Sequence, residues 1–234
     1  MRILATLPTY NEADNIGPLM DEILALGPEY EVLVIDDNSP DGTWKLVQER
    51  ALQEPRIHLL HRTTERGRGT AGIAGFKWAR DHGYDAVVEM DADFSHAPRF
   101  IPSLVDPLRH NTADLVVGSR LIAGGGESGR HPARKIITWG SNTYIRLVLG
   151  LPLHDCTSGF RTFNRKALET LPWEAMPVLG PEIVQEVLFQ AVKKSLRITE
   201  RPILFEERRA GQSTFNSKIM VRSFLYVLKR RLKG

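Results

Sequence analysis

Short apolar runs alternate with helical stretches through the first half of the chain. Ile3–Leu7, Val32–Ile35, Ile57–Leu60, Ala86–Met90 and Leu115–Val117 each read as a buried strand. Between them, Ile16, Leu19, Met20, Ile23 and Leu24 recur at helical spacing, a second helix follows Asp41-Gly42-Thr43, and a third covers Ala71–His82. Strands without polar alternation, separated by helices, build a mostly parallel sheet with helices on both faces. The expected class is therefore α/β. Right-handed crossovers bring the strands' carboxyl ends to one edge, and ligands of such sheets bind outside that edge.

The second half is less regular. Gly124–Gly129 reads as a flexible loop, Pro132–Leu149 as a helix, and Ser158–Phe163 and Ile198–Glu206 as strands around a helix at Pro181–Val192. The chain has 234 residues with no internal repeat and no low-complexity linker. One domain over residues 1–216 is expected, with an elaborated C-terminal half, followed by a basic helix over 217–234.

Charge is unevenly spread. Residues 193–234 hold twelve Lys or Arg against three Glu, which is +9 in a chain of net charge +3, leaving −6 elsewhere. A basic tail on an acidic body calls for an anionic partner. Lys218, Arg222, Lys229 and Lys233 fall within about 60° of a helical wheel, and Met220, Val221, Phe224, Leu225, Val227, Leu228 and Leu232 occupy a separate arc of it. This pattern fits an in-plane membrane anchor with Lys229-Arg230-Arg231 near anionic head groups. The competing expectation is a helix packed on the sheet with a solvated basic face. No apolar run approaches the ~18 residues of a spanning helix, and without interleaved aromatics the tail does not read as a nucleic-acid module. The single cysteine, Cys156, allows no intrachain disulfide and fits a reducing compartment. The opening MRILATLPTYNE lacks the pattern of a secretory leader. A cytoplasmic protein is expected, lying peripherally on the cytoplasmic face of a membrane.

Three of the strands deliver polar residues to the carboxyl edge: Pro8-Thr9-Tyr10-Asn11-Glu12, Asp36-Asp37-Asn38-Ser39-Pro40-Asp41-Gly42, and Asp91-Ala92-Asp93. Taken singly these are ordinary, with Asn11 and Asp14 as helix caps, Asp41-Gly42 as a turn, and Asp91 and Asp93 as solvated loop residues. Converging on one edge, the carboxylates repel one another unless a cation or donor group sits among them. Asp91 and Asp93, two apart in extended backbone, share a side. Such oxygen ligands suit Mg²⁺ or Mn²⁺, which keep several waters and bridge phosphates. Glu89, still inside the strand, has no assignment from the sequence.

Together, "PTYNE" (8–12), "VIDDNSPDGT" (34–43), "MDADFSH" (90–96), "VVGSR" (116–120) and "DCTSGFR" (155–161) resemble the family 2 glycosyltransferases of GT-A fold. Within that family they resemble the dolichyl- or polyprenyl-phosphate mannosyltransferases. The resemblance runs through almost the whole chain. It implies a metal-dependent, inverting transfer of a sugar, with GDP-mannose the favoured donor, to a polyprenyl or dolichyl phosphate. UDP-glucose as donor is the close alternative, and a membrane-binding scaffold retaining the fold is the alternative of another class.

The resemblance also implies roles for individual residues. Pro8, Tyr10, Glu12, Ile35 and Asp37 would surround the nucleoside. Asp91, Ala92 and Asp93 would meet the diphosphate through the metal, with Ser95 a weaker metal ligand. Arg120, counted with Asp91 and Asp93 as catalytic, would handle the transferred group, Arg134 and Thr138 the acceptor phosphate, and Arg208 a donor phosphate. Residues 1–119 would be the nucleotide-sugar half and 120–216 the acceptor half. The family's lysine position after Ser213 holds Thr214, with Lys218 a nearby replacement. Many relatives add membrane helices or a partner subunit at the C-terminus.

Other signals point away from chemistry. Gly67–Gly72 spells G-x-G-x-x-G, but it follows the third strand rather than the first, against a dinucleotide fingerprint. Its glycines are expected to let a loop pass close to the donor, with Arg66 or Arg68 near phosphate. Asp41-Gly42-Thr43 lacks the upstream aspartate spacing of a phosphohydrolase. His96 and His154 lack partners at metal-ligand spacing. Cys156 lacks an activating base and reads as structural.

Overall fold

The computed structural model describes residues 1–176, 180–207 and 217–232. The first half runs β1 (Ile3–Thr9), α1 (Ala13–Leu24), β2 (Tyr30–Asp36), α2 (Thr43–Ala51), β3 (Ile57–His61), α3 (Arg68–Asp81), β4 (Ala86–Glu89), α4 (Ile101–Arg109) and β5 (Leu115–Ser119). The second runs β6 (Gly126–Glu127), α5 (Pro132–Leu149), β7 (Arg161–Asn164), α6 (Arg165–Thr170), α7 (Ile183–Lys193), β8 (Ile198–Pro202), β9 (Leu204–Phe205) and α8 (Ser217–Leu232). The main sheet has seven strands in the order β3-β2-β1-β4-β7-β5-β8. All neighbours are parallel except β7, which runs antiparallel to both β4 and β5. A mostly parallel α/β sheet is what the strand–helix alternation predicts.

Side-chain alternation along β1 divides the core. Ile3, Ala5 and Leu7 join Ile16, Leu19, Leu104 and Val105 beneath α1 and α4, whereas Leu4 joins Phe76, Trp173 and Leu188 beneath α3 and α7. On the second face Phe76 stacks on Trp173 at 4.4 Å and meets Phe163 edge-on at 4.8 Å.

Several local expectations change. Helix α4 was not foreseen, although Ile101, Leu104, Val105 and Leu108 carry its apolar period and all are buried. Nor was α6, which Asn164 caps by accepting from the Ala167 N–H at 2.9 Å. The strand expected at Ser158–Phe163 begins only at Arg161, and the one expected at Ile198–Glu206 is broken at Ile203. The Gly124–Gly129 loop contains β6, which pairs with β9 in a two-stranded parallel ribbon. Helix α3 starts at Arg68, so the later glycines of the G-x-G-x-x-G stretch lie inside it. Gly72 and, one turn further along the helix, Gly75 set helix-to-sheet distance: a Cβ on Gly75 would lie 3.1 Å from Ile35 Cδ1, and one on Gly72 3.1 Å from Glu89 Oε1.

Helix α8 reverses the usual logic of an amphipathic helix. Arg222 pairs with Glu182 and Arg230 with Glu186, both on or just before α7, and Tyr226 Oη donates to Glu186. Val227 is buried there, while Met220, Val221, Phe224, Leu225, Leu228 and Leu232 remain exposed. The helix thus docks through Arg222, Tyr226, Val227 and Arg230 and presents most of its apolar side outward, with Lys229 and Arg231 exposed; of the expected basic cluster, Arg230 turns to Glu186. Beside it, α5 exposes Ile136, Ile137, Trp139 and Leu147. The two helices meet where Tyr144 stacks on Phe224 at 3.8 Å. Among the described residues, no helix is long and apolar enough to cross a membrane.

Candidate active site

The acidic loop after β2 is a self-organised scaffold. Asp36 accepts from the Ser39 N–H (2.8 Å), the Ser39 hydroxyl (2.6 Å) and the Thr9 hydroxyl (3.0 Å), closing the turn onto β1. Asn38 takes the left-handed conformation at φ 58°, with its side chain on His61. Asp41 accepts from the Ala13 N–H and Thr43 Oγ1 from the Glu12 N–H, each at 3.0 Å. The start of α1 is therefore capped from the neighbouring loop, and α1 carries no side-chain cap of its own. Asp37 accepts from Arg62 Nε at 2.7 Å and from the Gly67 N–H at 2.8 Å, which fixes the loop entering α3. Beside these turns lies a cavity of about 520 Å³ lined by Tyr10, Asn38, Trp44, Lys45 and Arg66 among others. The Arg66 guanidinium stands 5.6 Å from the Tyr10 ring centre.

The D-x-D turn caps β4. Phe94 holds φ 65° with its ring buried, so packing secures a backbone conformation that a bulky residue rarely adopts. Asp93 accepts from the Ser95 N–H at 3.0 Å, and both residues are buried. Asp91 is the more open carboxylate, 38% exposed. Its N–H donates to His96 Nδ1 at 3.1 Å. Burial depresses the His96 pKa, which favours the neutral ring this hydrogen bond requires. Ala92, between the two aspartates, is buried in the core cluster beneath α1 and α4.

Beneath Asp91 runs a chain of alternating charge. Arg161 pairs with Glu89, Glu89 Oε1 accepts from Arg68 at 2.9 Å, and Arg68 Nη2 donates to Asp91 Oδ1 at 2.9 Å. Burial opposes ionisation of Glu89, but Arg161 and Arg68 outweigh it and hold its carboxyl below the ordinary range. Burial likewise opposes the Arg68 charge, and Asp91 and Glu89 more than offset it.

A second network stands across the turn. Arg120 Nε and Nη2 donate to the two Asp155 oxygens, each at 2.7 Å, and Nη2 also donates to the Thr157 hydroxyl at 2.6 Å. Glu127 lies 3.5 Å from Arg120 and pairs with Arg130, whose guanidinium also donates to the Thr138 hydroxyl at 3.0 Å. Phe205 lies under both arginines, at 5.5 Å and 5.2 Å, and packs edge-on against His96. Arg120 is thus a clamped, nearly buried group, whereas Arg134 stands exposed near the start of α5.

The edge therefore gathers Tyr10, Asp37, Asp91, Asp93 and Ser95, with Arg120 and Thr138 in the adjoining network. Ile35 packs its side chain against α3 and offers only backbone to a ligand. Glu12 accepts from the Asn15 amide at 2.7 Å, and Pro8 is half-buried at the end of β1. Arg208 and Thr214 lie outside the described residues. Sequence reasoning passed over Glu89, Arg161, Asp155 and Glu127. Arg161 and Asp155 stood inside a quoted motif; strand pairing gives Arg161 its partner, and the loop before β7 brings Asp155 to Arg120 just after β5. His154 pairs with Glu200, away from the turn. Cys156 is buried and its thiol is pushed up to about 12 by burial, in keeping with a structural role.

Among the described residues no cluster of three or more His, Cys, Asp or Glu stands ready to hold a metal. The two aspartates with Ser95 nonetheless fit a hard divalent ion, which takes oxygen ligands and completes its shell with waters and substrate phosphate.

Comparison with known proteins bears on this arrangement. The glycosyl transferase family 2 profile matches residues 5–171. The chain is 41% identical over 220 residues to an undecaprenyl-phosphate mannosyltransferase of Micrococcus luteus, covering 94% of this chain and 90% of that one. It is 36% identical to a polyprenol monophosphomannose synthase of Mycolicibacterium smegmatis, covering 100% of this chain and 88% of that one. Among solved structures it resembles glucosyl-3-phosphoglycerate synthase from Mycobacterium tuberculosis in complex with Mn²⁺, UDP and glucosyl-3-phosphoglycerate. The TM-score is 0.70 at 22% identity, over 98% of this chain and 79% of that one. That likeness establishes a shared GT-A fold.

Proposed function

This chain belongs to glycosyl transferase family 2 and is a glycosyltransferase; on that premise we propose that it transfers mannose from GDP-mannose to a polyprenyl monophosphate. The observation that carries the reading is the pair of relatives, 41% and 36% identical over nearly full length, whose names specify mannosyl transfer to a polyprenyl phosphate. The carboxyl-edge site supports it. In this reading the cavity at Tyr10, Trp44 and Arg66 takes the nucleoside, residues 1–119 form the donor half and 120–216 the acceptor half.

Asp91 and Asp93, with Ser95 behind them, would hold Mg²⁺ or Mn²⁺. Bound there, the ion would neutralise charge developing on the departing diphosphate. The chain's own contribution is positioning. Asp37 fixes the loop at Gly67, His96 fixes the backbone of Asp91, and Arg120, held by Asp155, supplies a preorganised positive charge without needing to reorient. A lipid monophosphate is already anionic near neutral pH, so it attacks the sugar carbon without a strong general base, and one direct displacement inverts that centre.

The acceptor's lipid tail calls for a membrane surface. The exposed apolar flanks of α5 and α8 would lie in it, with Lys229 and Arg231 exposed alongside. The protein would then work peripherally on the cytoplasmic face. The deciding experiment offers a panel of nucleotide sugars with a polyprenyl phosphate and scores labelled lipid. GDP-mannose with Mg²⁺ or Mn²⁺ is expected to give product; product only from another donor overturns the mannosyl assignment, and none from any donor overturns the enzyme reading.

A further inference from the structure

Arg68 opens α3 and reaches across to the sheet, where one guanidinium nitrogen donates to Glu89 and the other to Asp91, both at 2.9 Å. Its position is over-determined. Glu89 is fully buried and held on its other side by Arg161, so the anchor for Arg68 does not move. Gly159 lines the opposite side: a Cβ there would lie 3.0 Å from Arg68 Nη2 and 3.7 Å from Asp91 Oδ1. The absent side chain leaves the guanidinium room to reach the aspartate.

Charge along this chain alternates, from Arg161 to Glu89 to Arg68 to Asp91. Arg161 and Glu89 already balance each other. Arg68 therefore stands as a counter-charge to Asp91, the first carboxylate of the D-x-D turn. We infer that Arg68 is a positioning and charge-balancing residue, which orients Asp91 and keeps the turn from binding a divalent cation strongly until an anionic diphosphate arrives with it. The inference rests on the proposed nucleotide-sugar reading and adds an order to it: metal and nucleotide bind as partners.

The physical reason is repulsion. A divalent ion on Asp91 would sit within a few ångströms of a fixed positive charge, which repels it. A diphosphate reverses the balance, because it is attracted by both the ion and Arg68. Such coupling is reciprocal, so nucleotide tightens metal by the factor by which metal tightens nucleotide.

The test measures Mn²⁺ binding to the full chain by electron paramagnetic resonance, with and without GDP or UDP. Wild type, Arg68→Gln, Arg68→Leu and Arg68→Lys are compared, and thermal melts verify folding. The neutral variants are expected to bind Mn²⁺ alone about tenfold more tightly than wild type, and to gain less from added nucleotide. Arg68→Lys keeps the charge and is expected to stay near wild type. A merely structural role for Arg68 would lower the melting temperature and leave nucleotide-free Mn²⁺ affinity unchanged or weaker. That result, with Mn²⁺–nucleotide binding intact in wild type, overturns this inference alone. Absence of Mn²⁺ binding to wild type even with nucleotide overturns the nucleotide-sugar reading and this inference with it. If Arg68→Leu does not fold, Arg68→Gln carries the comparison.

Discussion

Glu89 and Arg161 stand directly opposite each other across the antiparallel pair of β4 and β7, and neither side chain has exposed surface. Removing two ions from water costs several kcal/mol each, recovered only while both partners remain. Glu89→Gln is expected to destabilise the protein by about 3–5 kcal/mol in denaturant unfolding, because it strands Arg161 without a counter-charge. Adding Arg161→Met should restore much of that loss. A single-variant cost under about 1 kcal/mol would contradict the pairing.

Gly159→Ala tests the crowding around Arg68 without touching a charge. Its added methyl would meet the guanidinium at 3.0 Å, so Arg68 and with it Asp91 must shift. Turnover is expected to fall about tenfold or more, with nucleotide affinity changing less, since sub-ångström misplacement acts on geometry. Steady-state kinetics beside calorimetric binding separates the two.

Asp93→Ala should lower metal-dependent turnover by about two to three orders of magnitude. Calorimetry with GDP is expected to lose its Mn²⁺ dependence. The variant should still fold, with its melt lowered only as far as losing the buried acceptor for the Ser95 N–H requires.

Phe224→Glu and Leu228→Glu are expected to weaken binding to anionic vesicles about tenfold each, measured by co-sedimentation. Leu228 is 44% exposed, so Leu228→Glu should hardly move the melting temperature, whereas Phe224→Glu also loses the stack on Tyr144 and should melt somewhat lower. Val227→Ala is the contrast: it should cost stability and spare vesicle binding, since Val227 is fully buried.

Asp114 gives a pH signature far from the site. The Arg197 guanidinium, with help from Asn164 and Lys166, holds its carboxyl well below the usual range. A carboxylate so depressed contributes stability above the unfolded-state pKa of about 3.9 and loses it as pH falls toward the folded value. Asp114→Asn is therefore expected to melt lower than wild type at pH 7. The gap should start to narrow as pH falls below about 4 and shrink further with added acid, and a gap independent of pH would refute the assignment.

The sheet and its ligand edge were legible because apolar runs and their polar ends are local signals. Asp91 and Asp93 announced themselves by spacing. Glu89 did not, because a buried glutamate reads as an interruption until Arg161 is known to lie opposite it. Asp155 stayed silent for the same reason: its partner Arg120 is 35 residues away in sequence. Helix α8 was legible as amphipathic but not in orientation, since Glu182 and Glu186 decide which side docks.

The insertion of β7 between β4 and β5 has a consequence for how the protein is made. As the chain emerges, β1 to β4 can assemble first, leaving β4 as an open edge with Glu89 along it. Arg161 follows 72 residues later. Until then Glu89 has Arg68 beside it but not Arg161, and β4 remains an unpaired edge. Closure of the sheet and completion of the Arg161–Glu89 pair are one event, so the last central strand to be synthesised is also the lock on the first four.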